Sequence, residues 1–406
     1  MINLSKFNKT ISISLLKISL LVFFLDALLL NNLPYLRLGC FNLFIMDILS
    51  VLMIFLVIAK IFIDRFQIKR YMILPLIFGI LLMTSFVRGV NLFGVERATL
   101  AFRTSLYFYA ILMLTLCFAN VKQFTFHIID TWRIVAWLLF GLMIIRWGLI
   151  AIGSMDGSRF IAAGGLPMRT LNSAQTLLLL QVVIFSIIFG KNYKKFRFPN
   201  LITPLFILAI ILLQQRTVWG IALFTFVILF FLRKKMRNLV FIMGMIFLLL
   251  LSLLMLISGD NSIEASVRGS ATNIDTFMWR LESWQQLLQP ERFIKIYDYL
   301  IGQPFGTGFS RFVTNSSGDL YFVEYSPHNF YVFTLLTIGA LGLITVLIIY
   351  SRTIVLLLRQ NKNQVALAFA LLLISQLLYS ISYRPSFEQG FILGTAILLS
   401  RRGNIR

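Results

Sequence analysis

The stretch Ser326-Pro-His-Asn-Phe-Tyr-Val-Phe-Thr-Leu-Leu-Thr-Ile-Gly-Ala-Leu-Gly342 passes from a polar helix start into a long apolar run, and so sets a histidine at the mouth of a membrane helix. Ser326 suits the N-cap and Pro327 the first helical position, where a missing N–H has no intrahelical partner to lose. His328 then falls in the first turn. There the partial positive charge of the helix start disfavours imidazolium and biases the ring toward its neutral, proton-accepting form. That is the state a general base needs. Gly339 follows three turns later, about 16 Å deeper, with Gly342 at i+3, and small residues so spaced let another helix approach closely. The plainer reading of the same residues, a His-Asn cap and a packing GxxG, stays open on spacing alone.

Outward from this stretch the chain is strongly apolar. Of its 406 residues 59% are hydrophobic and 13% charged, with a mean hydropathy of +0.88, the composition of a polytopic membrane protein. Apolar runs place spans near 11–30, 43–63, 71–88, 104–120, 133–152, 173–190, 200–214, 217–232, 239–258, 328–350, 364–382 and 388–400, about twelve, the last one short. The expected fold is therefore all-α, a single membrane domain over 1–406. Connections near 64–70, 191–199, 233–238 and 351–363, and the tail 401–406, are rich in Lys and Arg, which assigns them and both termini to the cytoplasm. The other connections lie outside, the largest being 259–327 between the ninth and tenth spans. Lys6 and Lys9 before an apolar run resemble a signal peptide, but no small-residue cleavage site follows, so the first run reads as a membrane helix.

Several function classes drop out. A formal charge of +22 would suit nucleic acid, but the basic residues sit in short loops between apolar runs, which is topology rather than a binding surface. Cys40 and Cys117 form neither a disulfide framework nor a metal pattern. No His, Cys and Asp cluster has metal spacing, and the acidic residues of 259–327 include no Asp-x-Asp pair, so no metal or other cofactor is expected. Asp26, Asp47 and Arg146, in or near spans, are too few for a pump.

The basic residues divide by type. Of thirteen lysines only Lys295 falls outside, whereas twelve of twenty-four arginines do, including Arg159, Arg169, Arg216, Arg280, Arg311 and Arg384. An outer face that uses arginine almost exclusively points to planar, bidentate recognition of phosphate or carboxylate, although arginine also suits interfacial positions in general. Arg216 lies in Leu213-Gln-Gln-Arg-Thr-Val-Trp-Gly220, which interrupts an apolar segment too long for one crossing and must form a tight outer turn. An arginine at that depth needs a partner or a wet cavity. Within 259–327, residues 273–300 read as an amphipathic helix with Phe277, Leu281, Trp284 and Leu288 on one face, ended or kinked by Pro290. Arg280 and Trp284, one turn apart, suit an Arg-Trp stack. Gly302-Gln-Pro-Phe-Gly-Thr-Gly-Phe-Ser-Arg311 is a glycine-rich turn whose amides could cradle an oxyanion, but without a P-loop lysine it is no nucleotide signature.

On these motifs the chain resembles the bacterial O-antigen ligases and the related O-antigen and exopolysaccharide polymerases. His328-Asn329 followed after nine residues by Gly339-Ala-Leu-Gly342, Gln215-Arg216 before a span, Trp279-Arg280-Leu-Glu-Ser-Trp284 and Gly306-Thr-Gly-Phe309 are similar to the family's motifs in kind and order. The resemblance implies a GT-C-like inner-membrane glycosyltransferase, metal-independent and inverting, acting on the periplasmic side. Its donor would be undecaprenyl diphosphate-linked glycan and its acceptor the lipid A core or another lipid-linked glycan. His328 would be the base, and Arg216 and Arg280 would hold the diphosphate. Arg311, Arg159, Arg384 and Asn329 would contact substrate. A lipid-linked oligosaccharide flippase is the alternative, and no inverted repeat is visible in its favour.

Overall fold

The computed structural model describes residues 4–30, 32–38, 41–63, 68–162, 165–189, 202–232, 266, 269–270, 275–293, 295–314, 320–360 and 362–401. Twelve α-helices are assigned among them: α1 Leu4–Leu28, α2 Ile45–Ile63, α3 Ile73–Phe118, α4 Val121–Ala151, α5 Ser173–Phe189, α6 Ile202–Leu212, α7 Arg216–Leu232, α8 Asp275–Leu287, α9 Ile296–Ile301, α10 Phe330–Leu358, α11 Gln364–Tyr379 and α12 Gln389–Ser400. Five helical stretches, those of α1, α2, α3, α4 and α10, are long and apolar enough to cross a membrane, and α5, α6, α7, α11 and α12 are shorter apolar helices. The expected span at 239–258 lies outside the described residues.

The spans expected at 71–88 and 104–120 are one helical run broken at Gly94, whose φ of 82° and ψ of 163° are not helical. Phe86 stacks on Phe102 at 4.6 Å and Phe78 meets Tyr109 at 6.3 Å, so the halves of α3 fold back on each other. A single glycine makes this turn because it carries no Cβ to clash at positive φ.

Helices α5, α11 and α12 are apolar all round and buried along most of their length. In a bilayer the hydrophobic effect does not drive helices together, so packing and interhelical hydrogen bonds must. Here Trp132 Nε1 donates to Gln181 Oε1 at 2.8 Å, and the side-chain amides of Gln181 and Gln376 both donate to Gln389 Oε1 at 2.7 Å. Tyr350 OH donates to Gln376 Oε1 at 3.0 Å. Five helices are thereby joined through buried polar groups, each bond contributing about 0.6 kcal/mol.

Two short hairpins depart from the all-helical expectation. Strands β1 Tyr35–Leu38 and β2 Phe41–Phe44 pair antiparallel, as do β3 Arg311–Thr314 and β4 Leu320–Val323, with Arg311 opposite Val323. The second has a readable signal: alternating Phe312 and Phe322 flank Asn-Ser-Ser-Gly-Asp, a turn composition.

The glycines of α10 do not receive another long helix. Gly339 breaks α10 with φ 71°, and the chain leaving α9 crosses there: a Cβ on Gly339 would overlap the Leu300 carbonyl, and one on Gly302 would overlap the Ile338–Gly339 backbone. Gln303 N–H donates to Leu336 O at 2.6 Å, Ser85 Oγ to Thr337 O at 2.6 Å, and Arg88 Nη1 to Gly302 O at 2.8 Å. The segment before β3 is thus inserted between α3 and α10. The glycine-rich turn serves this crossing.

Candidate active site

The start of α10 is set by Asn329. Its Oδ1 accepts the amides of Tyr331 at 2.8 Å and Val332 at 3.0 Å, the work of an N-cap, so His328 lies one residue outside the helix rather than in its first turn. Ser326 and Pro327 do not fill the cap and first helical positions. Asn329, expected to touch substrate, is buried and has its carbonyl oxygen committed to the helix end. Phe330 N–H donates to Ser380 O at 2.9 Å, which docks this end on the connection between α11 and α12.

That connection brings Tyr383 and Arg384 to His328. The imidazole meets the Tyr383 ring edge-on at 6.0 Å, Tyr325 at 5.6 Å and Trp279 at 6.3 Å between centroids. Helix α8 ends before Pro290, as expected. Phe277 and Leu288 are exposed, whereas Ser283 and Leu287 are buried, so Arg280 and Ser283 turn inward. Arg280 stacks on Tyr383 at 5.0 Å and donates through Nη2 to its hydroxyl at 3.2 Å; it does not use Trp284. Glu282 fastens α8 to β3 by accepting from Thr314 N–H at 3.1 Å and Oγ1 at 2.9 Å.

The other arginines divide. Arg311, 4% exposed, spends Nε on Ser283 Oγ at 2.5 Å and Nη1 on the carbonyls of Phe309 and Tyr325 at 2.7 and 2.8 Å, so it braces the site while adding its charge. Arg384 lies over Phe333 at 4.4 Å and donates to Thr104 Oγ1 at 3.0 Å. Arg216 opens α7 immediately after a tight turn at Gln214, whose φ is 53°. Arg169, from the loop before α5, sits within electrostatic reach of Arg216, Arg280 and Tyr383. Arg159 is not among those charges. It is exposed on the turn Ser158–Phe160, beside Asp156.

Burial, and then the charges of Arg280, Arg311 and Arg384, push the His328 imidazolium down to about 4, so the ring is neutral at pH 7. Burial also lowers Arg169, with Arg216 and Arg280 adding to the effect. Trp279 Nε1, Arg280 Nε and Arg169 Nε are buried N–H donors with no hydrogen-bond partner among the described residues. Buried donors left so are unusual, and an anionic ligand would satisfy them. A cavity of about 470 Å³ begins on Tyr383 and Arg384 and reaches Asp26 and Arg103; His328 and the unpartnered donors do not line it. The charge of Arg103 is already met by Asp47 at 2.9 Å. Together these groups can accept a proton, receive an oxyanion and admit a polar ligand.

Tyr383 and Tyr325 carry no assignment in the sequence, Trp279 and Ser283 stand there only within the motif around Arg280, and Arg159 rather than Arg169 is the expected contact. Only Tyr383 had a signal, its position beside Arg384 in a short connection between apolar runs. No family model, curated protein or solved structure matches the chain.

Proposed function

We propose that the chain is an integral-membrane glycosyltransferase that transfers or polymerises undecaprenyl diphosphate-linked glycan at the periplasmic face. The observation that carries this reading is a neutral imidazole enclosed by guanidinium groups, with buried N–H donors left unpartnered around it. The family resemblance of the motifs supports the choice of donor.

In this mechanism the acceptor hydroxyl oxygen bonds to the anomeric carbon as its proton passes to His328. The bond from that carbon to the diphosphate oxygen breaks on the opposite face, inverting the configuration, and the electron pair leaves with the diphosphate. Arg216 and Arg280, joined by Arg169 and Arg384, offset the negative charge that grows there, which lowers the barrier more than it stabilises the bound donor. Arg311 holds the wall. An imidazole whose conjugate acid lies near 4 is a weak base, but a bound diphosphate cancels part of the arginine field and strengthens it. The base therefore gains strength when donor is present.

Alanine at His328 should abolish the long polysaccharide ladder in cells while the protein still reaches the membrane. An unchanged ladder would refute the reading and favour the flippase alternative. In a deletion strain, a single repeat on the lipid A core marks a polymerase, and polymer accumulating on undecaprenyl diphosphate marks a ligase.

A further inference from the structure

Near the other end of α10, remote from His328, a cavity of about 420 Å³ lies between the start of α3, the last third of α10 and the end of α12. Three arginines rim it: Arg70 from the turn before α3, Arg352 from α10 and Arg401 just past the end of α12. All three are exposed, and no Asp or Glu among the described residues lines the cavity. Arg401 is fixed in place, its guanidinium 3.7 Å from the centroid of Tyr71. The walls are tied as well, since Gln360 Nε2 donates to Ser400 O at 3.1 Å and links the ends of α10 and α12. The rest of the lining is largely apolar, with Leu74, Pro75, Ile349 and Ile397.

We infer that this cavity binds the phosphodiester headgroup of an anionic phospholipid, with the lipid's chains against the apolar wall. Guanidinium groups from three parts of the chain converge on one volume and match phosphate oxygens. A soluble phosphate ion would use the arginines and leave the apolar wall uncovered, whereas a lipid uses both. Basic residues at helix ends near a membrane surface are common, but these share a cavity and one is held against a ring, so they select a headgroup rather than a surface. This site is independent of the glycan chemistry at His328.

The test is native mass spectrometry of detergent-solubilised protein titrated with phosphatidylglycerol or with phosphatidylcholine of the same chains. Phosphatidylglycerol should bind preferentially. R352Q should weaken it about fivefold, and R70Q/R352Q/R401Q about a hundredfold, at roughly one basic contact's worth per substitution. R352Q alters an exposed side chain and leaves the helix packing alone, so it keeps the test open should the triple variant misfold. Lys122→Gln, at the start of the neighbouring α4 but outside the cavity, should change binding less than twofold. Equal binding of the two lipids, or retention by R352Q at the level of Lys122→Gln, overturns the site. Displacement of phosphatidylglycerol by inorganic phosphate at comparable concentration overturns the lipid and leaves a soluble anion.

Discussion

Guanidinium groups gather near both ends of α10, and the protein treats the two gatherings in opposite ways. Around His328 they are drawn into the structure: Arg311 is buried, Arg280 stacks on Tyr383, and Arg384 lies over Phe333. Around the far cavity Arg70, Arg352 and Arg401 remain exposed. The contrast teaches what burial does to charge. In a low-dielectric site a guanidinium acts strongly on its neighbours and is weakly screened, so it can depress an imidazole pKa and stabilise charge that forms during a reaction. At the exposed rim the same group exerts a screened attraction, adequate for holding a lipid phosphate and weak for chemistry.

The comparison breaks first at His328. Its replacement by Ala should lower turnover about 10²- to 10⁴-fold, the range of a lost general base, measured with purified protein in vesicles. The wild-type pH profile sharpens the point. The base is deprotonated above its pKa, so the acid limb of kcat/KM, which reports the free enzyme, should fall near pH 4 rather than near 6.5. The limb of kcat should sit higher, because bound diphosphate relieves the arginine field. Stability carries the same sign: between pH 6.5 and about 4 the unfolded chain binds a proton at His328 that the folded chain refuses, so stability falls as pH falls through that window.

A second break uses the two glycines that interrupt helices at positive φ. Nothing lies within 4 Å of a Cβ built on Gly94, whereas one on Gly339 overlaps Leu300. Gly94→Ala should therefore cost only backbone strain, about 1–3 kcal/mol. Gly339→Ala should add an overpacking cost of about 1–3 kcal/mol and displace the chain that carries Arg311 toward His328. Thermal melts should rank the two, and activity should fall further in Gly339→Ala at equal folded fraction. A smaller effect is expected from Arg280→Lys, which keeps the charge and loses the fork: about tenfold in turnover, the value of one charge-assisted hydrogen bond. Full activity in that variant would mean that charge alone suffices.

Much of the layout was legible because spans and breaks are written locally. The apolar runs, the polar turn that places Arg216, and the end of α8 before Pro290 each depend on a few adjacent residues. What failed to read depends on contacts from far along the chain. Ser326 and Asn329 are both capable caps, and docking of Phe330 N–H on Ser380 accompanies the later one. The inward turn of Arg280 depends on Glu282 and Ser283 binding β3, a strand with no place in the all-helical expectation. Arg159 and Arg169 share one loop and look alike in sequence; only the fold sets Arg169 beside Arg216 and Arg280. The reversal expected between 88 and 104 is made at Gly94, among Asn91, Glu96 and Arg97, inside one helical run rather than in a separate loop.

The smallest expected effect tests the comparison most directly, because salt acts on exposed charge and spares buried charge. The Debye length falls from about 10 Å at 0.1 M salt to about 3 Å at 1 M. Over that range phosphatidylglycerol binding at Arg70, Arg352 and Arg401 should weaken severalfold, since those side chains stand in water. The acid limb of kcat/KM should stay near pH 4, because the largest cause of the low His328 pKa is burial, which salt does not touch, and the arginines behind the remainder act largely within the protein. A limb that climbed toward 6.5 with added salt would place His328 in solvent, and the functional distinction between the two ends of α10 would collapse with it.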